Sequence, residues 1–342
     1  WRRMTGVPNL SVSSLVMNPE RPNNLIAAVG DVFGSAQNGI YETNDSGNSW
    51  QKRNLPLGGE TSEVLGRGTV AVSASNPDIW YAVYARAASA QGGGAYMQGL
   101  YRSNDGGSTW TERTANNAFS VYGWYFSALY VDKDDSDTVY VGGVPLYASQ
   151  DGGESWSDIT TPHVDIHVIQ QDADGRLVVG DDGGVHRSDS GGLSWETLNN
   201  GISNVQFYAG LTVNLDDDIT IMGGAQDNGT NRSQKLEKQW NNLLGGDGGW
   251  TQYDPNTGKY YLQFQGLGNL YSLDQGRVTR LDPNGQLTGP VAFYGMYVAD
   301  QNKANRLLYG TDRIHESLDG GQSWNIISNK LTNDFSAGVR SM

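Results

Sequence analysis

Acidic side chains and histidines gather in a few short segments of this 342-residue sequence. His163, Asp165 and His167 alternate in HVDIH, and Asp182 follows in GDDGG. A second group comprises Gln226, Asp227 and Asn228 of QDNG and Asp247 of GGDGGW. Hydrolysis of a glycosidic bond with inversion of configuration requires two flanking carboxyl groups roughly 6.5 to 9.5 Å apart, an acid and a base that holds the attacking water. The predicted catalytic residues are therefore Asp165, Asp182, Asp227 and Asp247, with Asp165 or Asp182 paired with Asp227 or Asp247.

The same segments allow a structural interpretation, in which DDGG, QDNG and GDGG are tight turns whose carboxylates cap backbone amides. If the catalytic interpretation holds, neighbouring polar and aromatic side chains should bind the substrate, and aromatic rings offer flat surfaces for sugars. The predicted substrate-binding residues are Tyr122, Trp124, His163, His167, Gln226, Asn228 and Trp250, with Tyr208 as a further stacking surface.

HVDIH also permits a metal site. Alternate residues on a strand point the same way, so His163, Asp165 and His167 would form a two-histidine, one-carboxylate cluster. A fourth ligand cannot be named, and a hydrogen-bonded structural network is the favoured interpretation. No metal and no cofactor is therefore predicted.

A repeated octet determines the architecture that must position these residues. Ser/Thr-x-Asp-x-Gly-x-x-Trp occurs at Thr43–Trp50, Ser103–Trp110, Ser149–Trp156 and Ser317–Trp324, and degraded copies occur at Ser188–Trp195 and Ser272–Thr279. Each octet lies between two short apolar runs, which is typical of strand, tight turn, strand. Because the octets recur, we predict that Asp45, Asp105, Asp151 and Asp319 bond amides of their own turns. The octet tryptophans should pack between sheets.

The spacing of the octets predicts an all-β propeller of about seven four-stranded blades. The blades are expected to end near residues 50, 110, 156, 195, 240, 279 and 324, which are roughly 40 to 60 residues apart. We expect one propeller domain over residues 1–342, and Trp1 fits the end of an octet, which indicates an excerpt of a longer chain. The start of each inner strand and the loop between strands two and three should lie on one face, which collects the acidic segments.

The octets and several longer segments resemble the Asp-box, or BNR-repeat, propellers. GWYFSALYVD, HVDIHVIQQD, GDDGGVHRS, QFYAGLTV and GGAQDNGTNRS are similar to a bacterial secreted group described as BNR-repeat glycosyl hydrolases, with the pattern GWYD, HxDQH, NDGG, QFY and QDNG. Phe126, Ile166 and Asp181 depart from that pattern, which has Asp, Gln and Asn there. The wider family includes sialidases, family 74 xyloglucanases, sortilin-type receptors and photosystem assembly factors.

This resemblance implies an extracellular or cell-surface protein that cleaves a polysaccharide, with the Gly-rich insertion Gln91–Gly99 walling one side of a groove. The alternative is a propeller that binds a glycan or a protein ligand without cleaving it, as sortilin-type propellers do. A sialidase is not expected, because the arginine triad and the Tyr/Glu pair of that mechanism are not recognisable.

Net charge, hydropathy and the lack of cysteine argue against nucleic-acid binding, membrane insertion and thiol chemistry. The chain has 23 Lys plus Arg against 37 Asp plus Glu, a formal net charge of −14, so a phosphate backbone would be repelled and nucleic acid is not an expected partner. No run approaches the roughly 20 apolar residues that cross a bilayer, so membrane insertion is not expected. Without cysteine, disulfides and thiolate chemistry are excluded.

Overall fold

Short antiparallel strands make up almost all of the regular structure. The computed structural model describes residues 6–7, 11–89, 93–203, 205–208, 210–215, 219–282 and 284–331. These residues form seven four-stranded sheets and one turn of 3-10 helix at Ser62–Val64. The predicted fold class is confirmed: the chain is an all-β propeller with seven four-stranded blades.

The chain divides into two compact units, Trp1–Ser203 and Asn204–Met342. The first unit has four blades, and the four strands of each blade pair in chain order. These strands are β1 (Val12–Met17), β2 (Leu25–Val29), β3 (Gly39–Thr43), β4 (Gln51–Arg53); β5 (Leu65–Val72), β6 (Trp80–Arg86), β7 (Met97–Ser103), β8 (Thr111–Arg113); β9 (Ala128–Val131), β10 (Val139–Gly142), β11 (Leu146–Ser149), β12 (Ser157–Ile159); β13 (Ile166–Gln171), β14 (Leu177–Asp181), β15 (Gly184–Ser188) and β16 (Glu196–Thr197).

The second unit has three blades with the same strand order. These strands are β17 (Thr212–Asn214), β18 (Thr220–Ala225), β19 (Gly229–Gln234), β20 (Asn241–Leu244); β21 (Gly248–Asp254), β22 (Lys259–Phe264), β23 (Leu270–Asp274), β24 (Arg277–Arg280); β25 (Tyr297–Ala299), β26 (Leu307–Gly310), β27 (Ile314–Ser317) and β28 (Asn325–Ile326). Where the structure describes the chain, it contains no helix that is long and apolar enough to cross a membrane.

The octets form the turns between the third and fourth strands. In the turn after β3, Asp45 accepts hydrogen bonds from the Ser49 amide at 2.8 Å and the Ser49 hydroxyl at 2.6 Å, while the Thr43 hydroxyl donates to Asp45 at 2.7 Å. Asp105, Asp151 and Asp319 make the equivalent bonds in their own turns. The prediction that these carboxylates cap their own turns is confirmed, so they are not available for chemistry.

The apolar core lies between adjacent blades. Trp110, which is 8% exposed, packs in one cluster with Ile26 and Ile40 of the first blade and Trp80 of the second. The tryptophans of the later octets pack in the same way, and they are Trp156, Trp195 and Trp324. The predicted packing of octet tryptophans between sheets is confirmed at these four positions.

Register shifts occur near the start of four inner strands. The pairing with the second strand shifts between Val12 and Ser14, between Leu65 and Gly68, between Ile166 and Val168, and between Gly248 and Thr251. Such bulges bend a strand locally and redirect a side chain. In the first unit the bulged residues include Arg67 and His167.

Candidate functional site

His167, Asp182 and Asp165 meet at the start of the fourth blade. The His167 ring Nε2 lies 2.7 Å from Asp182 Oδ1, and both side chains are partly open to solvent, at 36% and 26% exposure. A carboxylate oxygen of Asp165 lies within 4.8 Å of one of Asp182. Within the first unit, the structure therefore brings together two of the predicted catalytic carboxylates and one predicted binding histidine.

The backbone that presents these side chains differs from the predicted alternating strand. Strand β13 begins only at Ile166, and Asp165 has φ of 68°, a left-handed conformation that ends the extended run. The His163 ring instead packs over the next turn, where a Cβ on Gly183 would approach His163 Cβ to 2.6 Å. His163 Nδ1 donates to the Val164 carbonyl at 2.9 Å. His163 and Asp165 therefore precede the strand, so β13 does not form the two-histidine, one-carboxylate strand face that the alternation of HVDIH permitted.

Asp181 is buried beneath Asp182. Its side chain has 0% exposure, Oδ1 lies 3.3 Å from His186 Nε2, and the Gly183 amide donates to Oδ1 at 2.9 Å. Burial raises the pKa of the Asp181 carboxyl, and the nearby His186 opposes this rise. Because Asp181 accepts the Gly183 amide, its carboxylate caps the turn that carries Asp182. His186 was not singled out from the sequence, because its neighbours do not mark it as the partner of Asp181.

Exposed aromatic side chains lie beside this acidic group. Tyr122, Trp124 and Tyr125 are 47%, 38% and 52% exposed, and we call these three residues the aromatic surface. The Tyr125 ring meets the His167 ring edge to face at 5.3 Å. Phe126, where the resembled pattern has Asp, is only 5% exposed, and its ring lies 5.1 Å from His167. Tyr125, which the sequence analysis missed, thus connects the predicted aromatic residues to the acidic group.

Ala95 of the Gly-rich insertion supports the aromatic surface. Ala95 forms a parallel bridge with Tyr122, and the Gly123 amide donates to the Ala95 carbonyl at 2.8 Å. A Cβ on Gly123 would approach that carbonyl oxygen to 2.4 Å, so only glycine permits this contact. Gln91 of the predicted groove wall lies outside the described residues.

The predicted residues of the second unit form a hydrogen-bonded turn. Asp247 Oδ1 accepts the Asp227 amide at 2.9 Å, and Gln265 Oε1 accepts the Asp247 amide at 2.8 Å. Asp227 has φ of 57°, and the Gln226 carbonyl accepts the Asn228 amide at 2.6 Å. Asp247 therefore acts as an amide cap, which was the structural alternative for this segment.

Tyr208 and Tyr294 lie beside this turn. Their rings meet at 5.4 Å in a T-shaped pair, and the Tyr294 hydroxyl donates to the Gly248 carbonyl at 3.3 Å. Burial raises the pKa of both phenols, and the charges of Asp247 and Asp227 raise them further. Tyr294 was missed because it belongs to no repeated segment.

Trp250 is partly buried and packs against the core between the last two blades. Its ring lies 3.0 Å from the position of a Cβ on Gly210. This environment favours a core role over the predicted sugar-stacking role. Asp165 and Asp182 belong to the first unit and Asp227 and Asp247 to the second, and their pairing in catalysis stays a prediction.

No protein-family model matches the sequence, and neither does any curated protein. Among solved structures, the chain is similar to the GH74 xyloglucanase from Xanthomonas campestris, with 15% identity over 94% of this chain and 54% of that one, and a TM-score of 0.45. The GH74 enzyme of Niastella koreensis has 16% identity, coverage of 95% and 60%, and a TM-score of 0.41. YCF48 from Cyanidioschyzon merolae has 13% identity, coverage of 90% and 95%, and a TM-score of 0.40. The chain thus spans about half the length of that xyloglucanase, and likeness at this level assigns no residue a role.

Proposed function

We propose that this chain is a carbohydrate-active propeller that binds a polysaccharide at the aromatic surface of its first unit and hydrolyses it with Asp165 and Asp182. The observation that carries the proposal is the contact of exposed Tyr125 with His167, whose ring bonds Asp182. A contiguous group of exposed aromatic rings is typical of a binding surface, and the flat faces of the rings suit sugars. A polysaccharide substrate places this activity outside the cell or at its surface.

The distance between the two carboxylates suits one class of mechanism. Enzymes that retain the anomeric configuration have carboxyl groups about 5 to 5.5 Å apart, whereas inverting enzymes separate them by roughly 6.5 to 9.5 Å. The nearest carboxylate oxygens of Asp165 and Asp182 lie within 4.8 Å of each other, which is closer to the spacing of retaining enzymes than to that of the inverting enzymes expected from the sequence. In the retaining mechanism one carboxylate attacks the anomeric carbon while the other carboxylic acid protonates the leaving oxygen, and the second group then activates the water that releases the sugar.

The residues around the pair suit different roles. His167 holds Asp182 by a 2.7 Å hydrogen bond, and the Tyr125 and Phe126 rings hold His167 in turn. A carboxylate fixed in this way suits the nucleophile, which must be aligned with the anomeric carbon. Asp165 then serves as the acid and base. His167 acts as a positioning residue, since its Nε2 is occupied by Asp182.

The test is reducing-end release from plant, algal and bacterial polysaccharides. Asp165→Asn and Asp182→Asn should each lower release by about 100-fold or more, and proton NMR should show that the first product retains its configuration. Asp158→Asn is the matched control, because Asp158 is an exposed residue of β12 in the same unit. Full activity in both site variants contradicts the proposal. Loss of activity only in Asp227→Asn or Asp247→Asn would move the chemistry to the second unit.

Binding of a glycan or a protein ligand without cleavage is the second candidate. It is favoured by the capping role of Asp247, which leaves the second unit without a freely directed carboxylate at that position. In this case affinity electrophoresis should show retention by a polysaccharide that no preparation hydrolyses. Trp124→Ala should abolish this retention, because the Trp124 ring is exposed and lies 5.5 Å from the Tyr125 ring.

A further inference from the structure

A small cavity in the first unit lies next to the proposed catalytic residues. Its volume is about 210 Å³, and inner strands of three neighbouring blades supply its walls. Arg67 and Thr69 come from β5, Ser127 precedes β9, and His167 and Gln170 come from β13. Because His167 both lines this cavity and bonds Asp182, a group held in the cavity lies beside a proposed catalytic carboxylate.

Arg67 is exceptional among the arginines of this unit. Each of the other seven described arginines there forms an ion pair with an Asp or Glu side chain. Among the described residues, Arg67 makes no ion pair, and Nε donates to the Ser127 hydroxyl at 2.9 Å. Ser127 also accepts from the Thr69 hydroxyl at 2.8 Å, which fixes the orientation of this serine. Among the described residues, the two Nη groups of the half-buried Arg67 guanidinium are therefore not paired with a carboxylate, although the protein has a net charge of −14.

The backbone around Arg67 is closely packed, and this packing fixes the direction of the Arg67 side chain. Arg67 lies in the register shift of β5 between Leu65 and Gly68. A Cβ on Gly30 would come within 2.5 Å of the Gly66 carbonyl oxygen and 2.9 Å of Arg67 Cα. The first blade therefore packs directly against the bulged residues of β5. His167 occupies the matching shift in β13, and both bulges therefore supply polar side chains to the same cavity.

We infer that this cavity is a subsite for an anionic substituent of a sugar, either the carboxylate of a uronic acid or a sulfate ester, held by the Arg67 guanidinium. Planar guanidinium groups bind such oxyanions through two parallel hydrogen bonds. The volume is below the roughly 300 Å³ of ordinary ligand pockets, so it suits one charged substituent rather than an oligosaccharide. The inference rests on the proposed function and specifies it, because it makes the substrate an acidic polysaccharide.

Binding and cleavage are measured separately on the full chain. Isothermal titration calorimetry compares an oligogalacturonate, a sulfated galactan oligosaccharide and a neutral galactan oligosaccharide of equal length. One of the two acidic ligands should bind about 10- to 100-fold more tightly than the neutral one. Arg67→Gln should remove this preference, and its affinity should lose the salt dependence of the unsubstituted protein. The preferred acidic ligand identifies the carboxylate or the sulfate.

Arg21→Gln is the matched control, because Arg21 is an exposed, ion-paired arginine in the same unit. Arg67→Lys keeps the positive charge but lacks the two parallel donors of the guanidinium, so it should retain part of the preference for the acidic ligand. Thermal unfolding checks that both Arg67 variants fold. Equal affinity for acidic and neutral ligands, or a preference that survives Arg67→Gln, overturns the inference. Hydrolysis of a neutral polysaccharide that Arg67→Gln leaves unchanged overturns the subsite but not the proposed function. An Arg67-dependent preference without any hydrolysis upholds the subsite and overturns the proposed catalysis.

Discussion

Phe126 is the buried aromatic side chain that packs against the His167 ring. It is 5% exposed, and its ring contacts both Tyr125 at 5.1 Å and His167 at 5.1 Å. Removing a buried phenylalanine ring loses about 1.5 to 3 kcal/mol of transfer free energy, and the cavity that remains raises the total to about 3 to 5 kcal/mol. We expect Phe126→Ala to lie near 3 kcal/mol, because exposed Tyr125 can partly fill the space.

The matched control is Phe33→Ala, which removes the same atoms from the same unit at a position that is 63% exposed. This control should change the free energy of unfolding by less than about 0.5 kcal/mol. Urea unfolding followed by tryptophan fluorescence measures both variants. The first unit, whose described part contains Trp124 close to the substitution, should unfold at a lower urea concentration only in Phe126→Ala.

The functional consequence is measured on the same samples. Without the Phe126 ring, His167 loses one of its two aromatic contacts, so Asp182 is less well aligned. Hydrolysis or glycan affinity should therefore fall by about tenfold or more in Phe126→Ala under conditions in which it is still folded. A loss of less than 1 kcal/mol together with unchanged activity would refute the argument that this buried ring supports the site.

Acid should destabilise the protein through the octet turns. Hydrogen bonds from Ser155 lower the pKa of Asp151 from 3.8 to about 2, and hydrogen bonds from Ser49 lower the pKa of Asp45 to about 2. A folded-state pKa below the unfolded value stabilises the protein above about pH 4, and this contribution is lost as the pH falls towards 2. The midpoint temperature of thermal unfolding should therefore fall as the pH is lowered over this range, and it should fall less steeply with pH in Asp151→Asn. An equally steep pH dependence in the variant would contradict this reasoning. Gly123→Ala should destabilise the protein by about 1 to 3 kcal/mol and weaken glycan binding, because its Cβ would meet the Ala95 carbonyl oxygen at 2.4 Å. Gly245→Ala, whose Cβ would meet nothing within 4 Å, is the control for calorimetry, and equal effects of the two changes would contradict the prediction.

The sequence alone was sufficient for the blades and their turns, because the interactions that form them are local. Asp45 caps an amide only four residues away, and the serine or threonine two residues before the Asp completes the same turn. The apolar runs on either side then have only one simple pairing, as antiparallel neighbours. Four intact and two degraded copies of this local unit, together with their spacing, were enough to predict a propeller of about seven four-stranded blades.

The candidate site depended on tertiary structure, because its contacts join residues far apart in the chain. Arg67 donates to Ser127 across 60 residues, and nothing in LGRGT distinguishes this arginine from the ion-paired ones. The Tyr208 ring contacts the Tyr294 ring, which lies two blades further along the chain. The start of β13 at Ile166 was also mispredicted, since Asp165 adopts a left-handed conformation while His163 packs over Gly183. Residue types and spacing therefore singled out the acidic segments as candidates. Packing between blades decided which of their side chains meet, because bulges, burial and ion pairing depend on neighbours that the local sequence does not contain.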